Sequence, residues 1–95
     1  MKTPWKAIGY SHNLNTNRRG ALLFIEDGTC KLSSEIVQEF NEILQRSTFV
    51  EITFSDSSVI STGWLRFFSS KKKVTLETNN AIDYQLKLNG IHPDV

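Results

Sequence analysis

Val50, Ile52 and Phe54 alternate with Glu51, Thr53 and Ser55, the period-two pattern of a strand with one buried and one wet face. The polar run Asp56-Ser57-Ser58 ends that strand. The next segment, Val59 to Phe68, carries Trp64, Phe67 and Phe68 around a single glycine, Gly63, and a glycine inside a strand marks a bend or bulge. After Ser69-Ser70 and three lysines, Val74 and Leu76 alternate with Lys73, Thr75 and Glu77. Asn79-Asn80 reads as a tight turn, and Ile82, Tyr84, Leu86 and Leu88 against Asp83, Gln85 and Lys87 predict a further strand. Asn89-Gly90 then turns the chain into a short extended tail, Ile91 to Val95, which Pro93 confines to a sheet edge. Residues 49–95 are thus expected to form an antiparallel meander with a bend built into its second strand.

The pattern changes upstream. Ile36, Val37, Phe40, Ile43 and Leu44 fall on one face of a helix over 33–46. Ser33 is a good N-cap, Glu35 lies in the first turn where the helix dipole favours an acid, and Arg46 lies at the C-terminal end. Within 1–32, Pro4 to Tyr10 is weakly strand-like and Ser11 to Arg19 is a polar connector. Ala21 to Ile25 is a continuous apolar run that suits a strand buried on both faces or covered by a helix. Asp27-Gly28 between it and Cys30-Lys31-Leu32 predicts a hairpin from Ala21 to Leu32. The fold class expected is α+β: one amphipathic helix packed on a strongly bent antiparallel sheet or small barrel, with an N-terminal β-hairpin, all within one domain.

At 95 residues, one domain buries roughly 60 to 65% of the surface its unfolded chain exposes. A hydrophobic share of 39% and a charged share of 22% are those of an ordinary globular chain. The longest apolar run is far too short to span a bilayer, and the N-terminus lacks the apolar core of a secretory signal. No membrane partner and a cytoplasmic location are expected. A single cysteine, Cys30, excludes an internal disulfide and a cysteine-built zinc site.

The net charge of +1 conceals a segregation along the chain. Residues 1–25 hold Lys2, Lys6, Arg18 and Arg19 without an acid, whereas residues 26–56 hold seven acids against Lys31 and Arg46. A chain polarised in this way suits head-to-tail association, or separate basic and acidic surfaces for different partners.

The order of a helix, a bent meander and a short closing strand resembles the Sm/Hfq-like small barrels over residues 33–95. The resemblance rests on Val50-Glu51-Ile52-Thr53-Phe54, the acidic turn residue Asp56, Gly63-Trp64-Leu65 in the bent strand, and Ile82 to Ile91. It implies a small barrel that assembles into a homo-oligomer and binds RNA. The family's uridine-holding residues have no counterparts in Ser69-Ser70-Lys71-Lys72-Lys73 or Asp83-Tyr84-Gln85, so its ligand contacts do not carry over.

No phosphate loop, dinucleotide fingerprint, nucleophile elbow or metal-ligand cluster occurs. A His92–Asp94 pair has no activated nucleophile spelled out beside it. Neither an enzyme nor a cofactor or metal is expected. The candidate binding surface combines Trp64, Arg66 and Phe68, which share a face if the segment is a strand, with Lys71, Lys72 and Lys73; Arg18 and Arg19 add a second basic pair. Facing outward, Trp64 and Phe68 would stack unpaired bases while the cations neutralise backbone phosphates. Facing inward they are core, and alternation alone does not decide between the two. The function expected is a non-enzymatic binding module for RNA or single-stranded nucleic acid. The alternative is a small inhibitor or immunity-type factor that occludes a protein partner.

Overall fold

The computed structural model describes residues 3–91. Its elements run β1 (Trp5–Asn13), β2 (Arg18–Gly28), α1 (Ser34–Arg46), β3 (Phe49–Ile60), α2 (Thr62–Ser69), β4 (Val74–Glu77) and α3 (Asn80–Leu88). The polar stretch expected as a connector is the tip of a hairpin. Asn13 Oδ1 accepts from the backbone N–H groups of Asn15 and Thr16 at 3.0 and 3.3 Å, and Asn17 takes a left-handed conformation with φ 53°, both of which asparagine favours in turns. β1 and β2 therefore pair antiparallel from Trp5↔Ile25 to Asn13↔Arg18.

The hairpin expected over Ala21–Leu32 does not form. Asp27 Oδ1 accepts from Thr29 N and Thr29 Oγ1 at 3.1 and 2.7 Å, and this local bend leads out of β2 towards α1. The helix starts as its sequence specifies, with Ser33 Oγ accepting from Ile36 N at 3.3 Å and with Ile36, Phe40 and Ile43 buried. Because a helix intervenes, β3 returns parallel to β2, in register from Gly20↔Phe49. Asp56-Ser57-Ser58 does not end β3: the ladder steps from Ile25↔Phe54 to Asp27↔Val59. Ser58 Oγ donates to the Ile25 carbonyl at 2.8 Å within this irregularity.

The antiparallel meander is corrected at two further places. Val59–Phe68 is not one strand, since β3 stops at Ile60 and α2 follows. Trp64 and Leu65 are adjacent, yet both are completely buried together with Phe68, while Arg66 is exposed. Positions i, i+1 and i+4 share a face only on a helix. Likewise Ile82–Leu88 is helical: Ile82 and Leu86 are buried four residues apart, whereas Tyr84 and Leu88, which period-two alternation would bury with them, are 66% and 71% exposed. The asparagine turns are the caps of α3. Asn79 Oδ1 accepts from Ile82 N at 3.0 Å; at the other end, Ile91 N donates to Leu86 O at 2.9 Å and Gly90 N to Lys87 O at 3.2 Å. With Gly90 at φ 66°, this is a Schellman stop. Of the closing strand expected at 91–95, only Ile91 is described, and it lies outside any strand. The rest, with the His92–Asp94 pair, falls outside the described residues.

The sheet order is β1-β2-β3-β4, with β4 parallel to β3. Among the described residues β1 and β4 each have a single neighbour, so the sheet is open, not a closed small barrel. The architecture is α+β: a mixed four-stranded sheet with three helices. Ala21, Leu23, Ile25, Val50, Ile52 and Phe54 form the buried sheet face, and they share one core with residues from all three helices. Phe40 sits at its centre, with ring centroids 5.8 Å from Trp5, 5.3 Å from Phe67 and 5.2 Å from Phe68. The apolar run in β2 is covered on one side only, leaving Leu22 and Phe24 exposed.

Candidate functional site

Parallel pairing brings the starts of β2, β3 and β4 to one end of the sheet, and the basic residues come with them. Arg18 and Arg19 open β2, Arg46 ends α1 just before β3, and Lys71, Lys72 and Lys73 immediately precede β4. The backbone stitches these segments together. Thr48 N donates to Arg19 O at 2.7 Å, Arg19 N donates to Thr48 Oγ1 at 2.9 Å, and Val50 N donates to Lys73 O at 2.9 Å. Neighbouring strands lie about 4.8 Å apart, so the backbones at Arg19 and Lys73 are about 10 Å apart. Two basic groups separated by fifty residues of sequence thus meet at one end. Acidic residues mark the other, where Glu26 and Asp27 end β2, Glu77 ends β4 and Glu35 opens α1.

The cations are held differently. Lys73 Nζ donates to the carbonyls of Leu44 and Ser47 at 3.1 and 3.2 Å, covering the electronegative C-terminus of α1. Lys71 Nζ lies 4.9 Å from the centre of the Phe67 ring and the Arg18 guanidinium 4.8 Å from that of Phe49, both within cation–π range. Among the described residues the one ion pair is Lys6–Glu26 at 2.7 Å, so no carboxylate neutralises Arg18, Arg19, Arg46, Lys71 or Lys72. A cleft of about 340 Å³ lies between α1 and the lysine run, lined by Asn41, Leu44, Gln45 and the lysines. Another, of about 220 Å³, is lined by Tyr10, Ser11, His12, Arg19, Arg46 and Ser47.

The aromatic half of the expected surface is elsewhere. Trp64 and Phe68 are 0% exposed and stack at 5.4 Å on one another in the core, so neither can reach a base. Trp64 Nε1 instead donates to the Cys30 carbonyl at 2.7 Å, pinning the path from β2 to α1. Arg66 is on the outside of α2, where its Nη2 donates to Asn89 O at 3.4 Å. Alternation left open which way these rings face; the segment is helical, and both rings face the core. The rings that do accompany the cations are Tyr10, 69% exposed, and the half-buried Phe49 and Phe67. Tyr10, Arg46 and Phe49 carry no motif in the sequence; Arg46 and Phe49 lie at element ends that the parallel topology gathers, whereas Tyr10 lies within β1, opposite Ala21 near the start of β2.

On the uncovered face of the sheet Glu51 stands opposite Thr75, one step from Thr53↔Glu77. Loss of hydration, and then the hydrogen bond and like charge of Glu77, raise the Glu51 carboxyl above its ordinary value. Among the described residues no three histidine, cysteine, aspartate or glutamate side chains converge as a metal site, and no helix is long and apolar enough to cross a membrane. No protein-family model, curated protein or solved structure matches the chain, so its functional reading rests on its own residues.

Proposed function

We propose that the chain is a non-enzymatic binding module that holds RNA or single-stranded nucleic acid at the basic end of its sheet. The observation that carries this reading is the gathering there of five cations, Arg18, Arg19, Arg46, Lys71 and Lys72, with no carboxylate partner among the described residues. Phosphates attract such a cluster through release of their counterions, and exposed Tyr10 beside it offers a ring on which an unpaired base stacks. The uncovered edge of β1 is the surface for association of copies through strand pairing, and the single free Cys30 suits a reducing compartment such as the cytoplasm.

The test is binding of a fluorescent single-stranded oligonucleotide across a salt series. Five phosphate contacts at about −0.7 each give a log–log slope of about −3.5, a loss of about a hundredfold between roughly 50 and 200 mM salt. Replacing Lys71 and Lys72 by alanine makes the slope shallower by about 1.4; Lys73 is spared because it caps α1. Absence of any binding at the lowest salt refutes the reading. The uncovered sheet face, with Leu22 and Phe24 exposed, favours a second one: an inhibitor that occludes a protein partner. Stoichiometric retention of one protein by a chain that binds no oligonucleotide would support it.

A further inference from the structure

The cleft of about 220 Å³ between the hairpin and the C-terminal end of α1 is smaller than a site for a whole cofactor. It has room for a phosphate group and part of a sugar. Two of the uncompensated cations, Arg19 and Arg46, line it, one from β2 and one from α1, with Tyr10 and His12 contributed by β1. No acid is among its lining residues. A helix C-terminus would ordinarily repel an anion, but here Lys73 already covers the Leu44 and Ser47 carbonyls. Two planar guanidinium forks supplied by two different elements suit an anion that presents several oxygens.

We infer that this cleft is a site for a phosphate monoester, the doubly charged end of a nucleic-acid strand or of a free nucleotide. The inference rests on the nucleic-acid reading above and adds that the bound strand is held by its 5′ end. A monoester carries more charge and more free oxygens than an internal diester, so two arginines with no competing carboxylate select the terminus. Tyr10, 69% exposed at the cleft, is placed to meet the first base.

The experiment compares one short single-stranded RNA bearing a 5′-phosphate with the same RNA bearing a 5′-hydroxyl, and adds adenosine 5′-monophosphate and inorganic phosphate as separate probes. Each is titrated into the wild-type chain and into Arg46→Gln, with the NMR resonances of Tyr10 and His12 as local reporters. The phosphorylated RNA is expected to bind about tenfold more tightly, consistent with hydrogen bonds to a charged group, and Arg46→Gln is expected to erase that difference without changing the melting temperature. If both RNAs bind equally and Arg46→Gln changes neither, the inference is overturned and the nucleic-acid reading stands. If neither RNA binds but the monophosphate shifts Tyr10 and His12, the cleft is supported as a site for a free phosphomonoester and the nucleic-acid reading fails. If no probe binds, both fall.

Discussion

Replacing Gly63 by alanine separates the helix seen at 62–69 from a bent strand by the sign of one number. A bend or bulge in a strand would need glycine, and a side chain there would destabilise the fold. In α2, Gly63 is exposed, its φ is not positive, and a Cβ built on it meets nothing within 4 Å. Alanine then gains by restricting the unfolded chain and raising helix propensity, by about 0.4 to 1 kcal/mol, which for a domain near this size is a rise of about 2 to 6 °C in melting temperature. Thermal unfolding by circular dichroism, with a urea titration to show an unchanged m-value, measures it. Gly20→Ala is the control of opposite sign. A Cβ there would lie within 2.8 Å of three atoms of the Phe49 ring, and Phe49 cannot turn away without leaving the Arg18 guanidinium 4.8 Å above it. A lower melting temperature for Gly63→Ala would refute the helical assignment of this segment and the burial argument built on it.

Two further outcomes follow from polar groups. Glu51, its carboxyl raised by lost hydration and by Glu77, binds its proton more tightly folded than unfolded. Stability therefore falls as pH rises from the ordinary carboxylate range through the raised folded value, and Glu51→Gln is expected to remove that fall and to be more stable than wild type at neutral pH; parallel pH profiles in urea unfolding would contradict this. Trp64→Phe deletes the donor to the Cys30 carbonyl and leaves a void in the core, so a loss of about 2 to 4 kcal/mol is expected in the unfolding midpoint, and a loss under 1 kcal/mol would show that the bond holds nothing in place.

How far the sequence reached depended on which periodicity was long enough to test. α1 was legible from cap to C-terminal arginine because its apolar positions persist over more than three turns. α2 and α3, at eight and nine residues, are too short for the two periods to diverge by count alone, and Ile82, Tyr84, Leu86 and Leu88 satisfy alternation while only two of them are buried. Turn chemistry was ambiguous for a related reason. Asn79, Asn89 and Gly90 were legible as sites where the chain changes direction, but asparagine and glycine serve helix caps as readily as strand turns. The same error moved the candidate site. Lys71, Lys72, Arg18 and Arg19 could be named from charge, whereas the aromatic partners could not, because which ring faces outward follows from the helix. Convergence of the two basic groups follows from parallel pairing, which is a property of connections and not of any one residue.

Strand order in this sheet is the order of synthesis. Four residues link β1 to β2, twenty link β2 to β3 and thirteen link β3 to β4, so every ladder closes against the strand made just before it, and no segment waits for a distant partner. Chains with such short closures fold quickly. As the polypeptide leaves the ribosome, the hairpin can form first, α1 and β3 then dock on its β2 edge, and β4 is the last strand to be added. Only on that step does the lysine run meet Arg18, Arg19 and Arg46, so the basic end is assembled late, with α3 still to follow, and a nascent chain should acquire its affinity for anions only when β4 has emerged.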